Sequence, residues 1–396
     1  ILTVPASCML RATHAPSSLL STCERLGVRD ARLQLQLLLL HERRRAAASE
    51  HHDYADALPG DELTHSLPVA WDQHTLAAQL AGTPLFDAVV DERLKLVELH
   101  ARLAPSYSLA DLIWAHAVFW SRAIRVPLPS SDDECLVPLL DLCNHSSGST
   151  AELAVERTAA GELELVLRAG TSLAGGDEVC ISYGAKANGE LLRRHGFVLE
   201  GNMSDVYPIE LAKLARDKSR IEELRRLRLK TKMFLHRGGL PEAMLKVARV
   251  LCVDQVELQV ALLEASGKGE SMGPAFDWNA VDWAADPDDG ELAVGGMDSA
   301  VSASSEFRTL DALDMLISGC LERVEGVEGA ELRAREEAQL GATEERGANR
   351  ESSEPSAQEE ARPCVAVKCG VYREGLRTIL SETLTLLARR RARITC

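Results

Sequence analysis

Several things are scarce in this chain of 396 residues, and each scarcity excludes something. Aromatic residues make up only 4%, as 5 Trp, 5 Tyr and 6 Phe, so each ring is a candidate for a specific task. No run of 18 apolar residues occurs, which excludes a helical membrane span of ordinary length. The ten cysteines include no C-x-x-C pair. Neither a disulfide framework nor a zinc knuckle is indicated, and reduced thiols in an intracellular compartment are the expectation. Whether that compartment is cytoplasm, nucleus or plastid is left open. An excess of positive charge is missing too: 44 Lys and Arg face 60 Asp and Glu, for a net charge of −16.

That charge is unevenly placed. Residues 277–362 hold 22 acidic and 7 basic side chains, so all but one of the net negative charges lie there and the rest of the chain is nearly neutral. A nucleic-acid surface driven by counterion release needs a basic patch, so nucleic acid is not an expected partner. The 46% hydrophobic content suits a globular protein, and the length suits two to three domains.

The chain opens on Ile1-Leu2-Thr3-Val4-Pro5, a β-like piece that ends near Met9 and reads as a strand entering from residues upstream. Residues 31–45 form a strongly apolar helix whose basic end suits the negative end of a helix dipole. Helices are expected over 72–80, 86–103 and, from a Ser108 cap, 108–124. From Leu136 the pattern turns to strands. AELAVER and ELELVLRA alternate around Ala159-Ala160-Gly161 as a hairpin, and a Gly-rich turn feeds VCISYG. A short helix is expected over 187–195. Residues 209–265 read as helical with a basic stretch at 220–232. Helical periodicity is expected over 306–324 and 371–391, with 325–362 between them reading as a flexible acidic insertion.

Three polar clusters lie in the strand-rich part. They are Asp141-Leu142-Cys143-Asn144-His145, then Gly176-Asp177-Glu178-Val179-Cys180-Ile181-Ser182-Tyr183-Gly184, then Asn188-Gly189-Glu190-Leu191 running on to His195-Gly196-Phe197. Their order and spacing resemble the SET-domain protein methyltransferases, in the subgroup that includes the Rubisco large-subunit lysine methyltransferase. The patterns there are D-x-x-N-H, G-[DE]-x-[VL]-x-[IV]-x-Y-[GD] and S-N-x-E-L-x-x-x-Y-G-F. Glu42-Arg43, Ser49, Tyr54 and Leu58-Pro59 resemble that subgroup's inserted helical region. Trp114 to Ile124 resembles its W-A-x-x-x-x-x-S-R helix, and Val371 to Leu380 its terminal Y-R-x-G-Q-x-x-I-L helix.

The resemblance implies an α+β fold, in which a β-rich SET core with a knot-like crossing and a helical insertion precedes an all-α C-terminal domain. The expected divisions are 1–20 (remnant of the N-terminal SET strands), 21–125 (helical insertion), 126–204 (C-terminal SET core) and 205–396 (helical substrate-binding domain with the acidic insertion). The implied activity is methyl transfer from S-adenosyl-L-methionine to a protein lysine. Tyr183 is the implied catalytic residue. Arg122, Asp141, Asn144, His145 and Phe197 are the implied cofactor-binding residues. A protein substrate, a monomer and no metal are expected. His51-His52-Asp53 lacks a third spaced ligand and is read as a loop. Gly175-Gly176-Asp177-Glu178 is read as a tight turn whose acids cap it or face solvent.

Elementary chemistry agrees with what the resemblance implies. Methyl transfer from a sulfonium is an in-line displacement on an activated donor, so the protein mainly orients the reactants. A lysine with a pKa of about 10.4 must lose its proton first. An apolar channel disfavours the ammonium, and a Tyr hydroxyl can steer the free lone pair. The sequence departs from the family at His195, which stands where Tyr often precedes Gly-Phe, and at Lys186, in a loop that helps choose the target side chain in relatives. The subgroup's G-x-G turn would lie upstream of Val4. One relative methylates a histidine of actin, so a histidine acceptor stays open, as does a non-catalytic binding adaptor.

Overall fold

The computed structural model describes residues 1–60, 66–104, 106–128, 131–254, 256, 258, 302–345 and 357–395. Of the acidic stretch 277–362, residues 277–301 and 346–356 lie outside these. The chain divides into two units. One comprises Ile1–Gln73, Asp87–Ala185 and Leu191–Phe197, and the other His74–Phe86, Lys186–Glu190 and Val198–Cys396.

The first unit begins with β1 (Leu2–Pro5). The helices α1 (Ser17–Arg25), α2 (Ala31–Arg45) and α3 (His52–Ala57) follow. Asp30 caps α2 by accepting from the Leu33 amide at 2.9 Å. Leu37, Leu38, Leu39 and Leu40 are consecutive and all buried. Four consecutive leucines cover every side of a helical turn, so this part of α2 sits inside a core, one formed with α1, α3 and α6 (Leu109–Arg122). Ser108 and Asp111 close a reciprocal capping box at the start of α6. His51 and His52 lie at the start of α3, and no group of three or more metal-ligating side chains occurs among the described residues.

The sheets of this unit are small. β2 (Ile124–Leu128) and β3 (Ser131–Cys135) form one hairpin. β5 (Ala151–Arg157) and β6 (Leu163–Ala169) form the expected second one, and β1 adds antiparallel to β6 with Val4 opposite Leu165. Val4, Leu165, Leu167, Ala151 and Ile181 share the core beneath. β4 (Asn144–His145) and β7 (Cys180–Ile181) are two residues each and run parallel, Asn144 opposite Cys180.

In the second unit, α4 (Gln73–Leu80) contributes its residues from His74, and α5 (Pro84–Leu103) its first turn. The short α7 (Asn188–His195) has only Asn188–Glu190 in this unit; further along come β8 (Val206–Glu210), α8 (Lys218–Arg226), β9 (Lys232–His236), α9 (Glu242–Cys252), α10 (Ala303–Glu345) and α11 (Ala357–Thr395). One expectation is corrected here. The C-terminal region is helical but not all-α, because β8 and β9 pair antiparallel with Tyr207 opposite Leu235. Lys232-Met-Phe-Leu-His is a short apolar run with an aromatic ring between two polar ends, and it pairs as a strand despite the helical reading of its surroundings. The segment read as a flexible insertion is entered by helix from both sides, through Glu345 and from Ala357. Its Ala, Glu and Arg are strong helix formers even where few apolar groups are available.

Arg249 is buried in the second unit and makes a two-pronged contact with buried Glu306, at 2.8 and 2.9 Å. Burial pushes the Glu306 carboxyl up, but the Arg249 hydrogen bonds and charge, joined by Arg390, more than offset this and hold it low. The terminal motif explains itself here. Tyr372 packs against Gly189, where a Cβ would approach the ring to 3.4 Å. Arg373 donates to the carbonyls of Gln79, Ala81 and Val324. Gly375 faces Asp205, whose carboxylate holds Asn188 through its backbone amide (2.7 Å) and its side-chain amide (3.0 Å). A Cβ at Gly375 would run into Asp205 Oδ2, which cannot retreat without releasing Asn188. Glycine to alanine inside a helix normally adds up to about 1 kcal/mol of stability. Gly375→Ala is expected to do the opposite, costing roughly 1–3 kcal/mol through the clash. Urea unfolding measures this, and a stabilised variant would refute it.

Candidate functional site

Residues 137–143 make the turn that presents the first polar cluster. Asp141 N donates to Val137 O (3.1 Å) and Cys143 N to Leu140 O (3.2 Å), with Leu139 at φ +67°. Positive φ is costly for a leucine, and the turn tolerates it because Leu140 on one side and buried Asp141 beyond it are fixed in the core. β4 then delivers Asn144 and His145 beside β7, and Tyr183 follows two residues after β7.

Tyr183 is tied to that cluster at both ends. Its backbone amide donates to His145 Nδ1 (3.1 Å) and its hydroxyl donates to Cys143 O (2.7 Å). The first bond makes Nδ1 the acceptor, so the neutral His145 ring carries its proton on Nε2. Three rings gather around Tyr183. His195 lies 4.8 Å and His145 5.2 Å from it, centroid to centroid, and Phe197 lies 6.0 Å from His145. Burial pushes the Tyr183 phenol up, so it stays protonated through the neutral range and can give one hydrogen bond while accepting another.

His195 is held by its chain neighbours. Arg193 Nε donates to Glu92 Oε2 (3.0 Å), and Glu92 also meets His116 Nε2 (2.9 Å). Arg194 stacks 3.7 Å above Trp120, and His195 Nδ1 lies 3.3 Å from Ser121 O. Burial alone would raise the Glu92 carboxyl; the His116 hydrogen bond and the Arg193 charge bring it down to about 2. Three consecutive residues of α7 are thus each anchored on α5 or α6.

Arg122, at the end of α6, forms a second group with Asp141. Its Nη1 donates to the Asp141 carbonyl (3.1 Å) and lies 3.9 Å from Asp141 Oδ1. Tyr54 donates its hydroxyl to Asp141 Oδ2 in a short hydrogen bond. Arg122 Nε and Asp141 Oδ1 are buried without a hydrogen-bond partner. Burial raises the Asp141 carboxyl to about 6 despite the opposing Tyr54 bond and Arg122 charge.

The expected site residues therefore fall into three places. Tyr183, His145 and Phe197 share the ring cluster. Arg122 and Asp141 pair beside the carbonyl that takes the Tyr183 hydroxyl. Asn144 stands apart: its side-chain amide donates to Glu178 Oε1 (2.7 Å) on the exposed side, and its backbone belongs to β4. The Gly176 turn is tight (φ +100°), with Asp177 accepting from the Ala174 amide. Lys186 pairs with Glu190 at 2.5 Å. Sequence reasoning did not assign Tyr54 or His195 to the site. The signal for Tyr54 was its place in the Glu42…Ser49…Tyr54…Leu58-Pro59 spacing. His195 was visible only as a departure from a family pattern.

An unpaired buried donor and acceptor (Arg122 Nε and Asp141 Oδ1), a main-chain carbonyl and a wall of rings suit a small molecule that has charged groups at one end and a cationic centre. S-adenosylmethionine has that character, so the residues present fit it.

No protein-family model matches the chain. SET domain-containing protein 8 of Schizosaccharomyces pombe is 31% identical over 147 residues, which are 35% of this chain and 32% of that protein. Ribosomal lysine N-methyltransferase 1 of Saccharomyces cerevisiae is 32% identical over 126 residues, 30% of this chain and 20% of that one. Actin-histidine N-methyltransferase of Xenopus tropicalis is 24% identical over 186 residues, 43% of this chain and 31% of that one. The chain thus spans a third or less of the length of these curated relatives. A crystal structure of the SET domain of LSMT bound to lysine and AdoHcy superposes with a TM-score of 0.69 at 18% identity, covering 100% of this chain and 82% of that one. The fold is accordingly an α+β SET fold with a helical C-terminal region. No helix of the described residues is long and apolar enough to cross a membrane.

Asp141 makes a pH prediction. Its carboxyl titrates near 6 in the folded chain against an ordinary 3.8. The folded state therefore holds the extra proton between these values, so stability falls as pH rises through that window. The fall should be on the order of 2–3 kcal/mol between pH 4 and 7, and Asp141→Asn should abolish it. Urea unfolding of both proteins across that range tests the sign; parallel profiles would refute it.

Proposed function

We propose that this chain is an S-adenosylmethionine-dependent protein-lysine N-methyltransferase. The observation that carries the reading is the Tyr183 hydroxyl, fixed on the Cys143 carbonyl and ringed by His145, His195 and Phe197. The SET fold supports it, as does the occurrence of lysine methyltransferases among the relatives. S-adenosylmethionine supplies an electrophilic methyl group on a sulfonium, so no strong base is needed at the carbon.

The chain's own residues then have four tasks. The rings exclude water and disfavour an ammonium, which moves the lysine equilibrium toward the free amine. Tyr183, with its proton committed to Cys143 O, offers a phenolic oxygen lone pair to an amine N–H and thereby aims the nitrogen lone pair. His145 holds the Tyr183 backbone so that this oxygen does not wander. Arg122 presents a planar fork suited to a carboxylate, and Asp141 Oδ1 an acceptor suited to an ammonium. The substrate is a protein, bound in this reading with help from the helical C-terminal region.

Histidine remains a second acceptor, because actin-histidine methyltransferases match over 43% of the chain. The test is transfer of labelled methyl from S-adenosylmethionine to a proteome extract by the full-length gene product, with acid hydrolysis to identify the modified residue. Methyl-lysine is the expected product. Methylhistidine alone would overturn the lysine assignment, and no label above background would leave the binding-adaptor reading. Tyr183→Phe should lower the rate roughly 100-fold or more while removing one hydrogen bond, worth about 1 kcal/mol of stability. Equal labelling by that variant would refute the role of Tyr183.

A further inference from the structure

We infer that Tyr54 is a positioning residue for Arg122, acting through Asp141 and held in place by a clasp on the short helix α3; this rests on the methyltransferase reading above. Asp141 is the shared partner. Its side chain is completely buried, one carboxylate oxygen receives the Tyr54 hydroxyl, and the other lies 3.9 Å from Arg122 Nη1 with no hydrogen bond of its own. Arg122 Nη1 in turn donates to the main-chain carbonyl of the same residue. Moving Asp141 therefore moves both of the contacts that aim the guanidinium.

Tyr54 itself needs support. It sits on α3, which is six residues long, and an isolated helix of that length is unstable. The fold closes both ends. Before the helix, Ser49 Oγ donates to buried Glu42 Oε2 (2.6 Å) and accepts from the His51 amide (2.9 Å). After it, Trp114 Nε1 donates to Pro59 O (2.9 Å), with Arg43 stacked on the Trp114 ring at 3.9 Å. Trp114 and Arg122 stand on the same helix, α6. The residues that give the Glu42-Arg43…Ser49…Tyr54…Pro59 spacing thus form a frame around one hydroxyl aimed at Asp141. A tyrosine needed only for packing would not require its oxygen on a buried carboxylate that already stands near a guanidinium.

Tyr54→Phe keeps the ring and removes only the hydroxyl. Two measurements on the full chain decide the matter. The first is the carboxyl titration of Asp141 by carbon NMR with labelled aspartate, its signal identified by loss in Asp141→Asn. The groups that face Asp141 are Tyr54, Arg122, Tyr183 and Cys143. Of these, Tyr54 favours the ionised form by hydrogen bonding, so its removal should shift the titration to higher pH. The second is steady-state methyl transfer. The KM for S-adenosylmethionine should rise about tenfold with kcat within about twofold, as for one lost charge-assisted contact to the donor. Ser49→Ala, which opens the clasp without touching Asp141, should move both readouts in the same direction by less. An unmoved Asp141 titration, or an unchanged KM alongside a lowered melting temperature, would reduce Tyr54 to a packing residue and overturn the inference. If the wild-type chain transfers no methyl group, the activity reading fails, while the titration still shows whether Tyr54 holds Asp141.

Discussion

The site depends on the parallel pairing of two strands that are two residues long. Asn144–His145 and Cys180–Ile181 come from segments more than thirty residues apart, and only their pairing sets Tyr183 against His145 and Cys143. Two ladder steps are weak by themselves. They are reinforced by Thr150, whose hydroxyl accepts from the Cys180 amide at 2.9 Å and whose own amide donates to Cys180 O. They are also reinforced by Ile181, which is buried in the core under the β1–β6–β5 sheet. The pairing is thus stabilised by burial more than by its own hydrogen bonds.

In each unit the chain places charge where water is excluded and then neutralises it. Glu92 serves both His116 and Arg193, and Glu306 serves Arg249 and Arg390. Such buried pairs add little net stability over apolar replacements, yet losing one partner strands the other. Their consequence here is directional. The Glu92 contact fixes α7 in register, so that His195 and Phe197 face Tyr183. Asp141 is the exception, since its two oxygens are treated unequally and its carboxyl stays raised. A group left partly unsatisfied beside the ring cluster is where ligand chemistry belongs.

Much of this was legible in the sequence, for identifiable reasons. The leucine run of α2 and its arginine end announce a buried helix with a basic terminus, and Ser108 announces the start of α6. The alternation in AELAVER and LELVLRA announces a hairpin. The order of the three polar clusters pointed to Tyr183, His145 and Phe197, which do share one cluster of rings. β8 and β9 were missed because two five-residue strands are outweighed by the helices beside them. Residues 325–345, whose high charge content pointed to flexibility, lie in α10, because alanine, glutamate and arginine favour helix locally.

The sequence by itself determined the elements, their caps and the identity of the polar clusters, because each of these follows from residues a few positions apart. Tertiary structure alone decided which oxygen Tyr183 bonds, that Asn144 turns to Glu178 and away from the rings, and that Tyr54 reaches Asp141 across 87 positions of chain. Contacts of that span carry no local periodicity. They exist only once burial has brought the segments together and every polar atom left inside must find a partner.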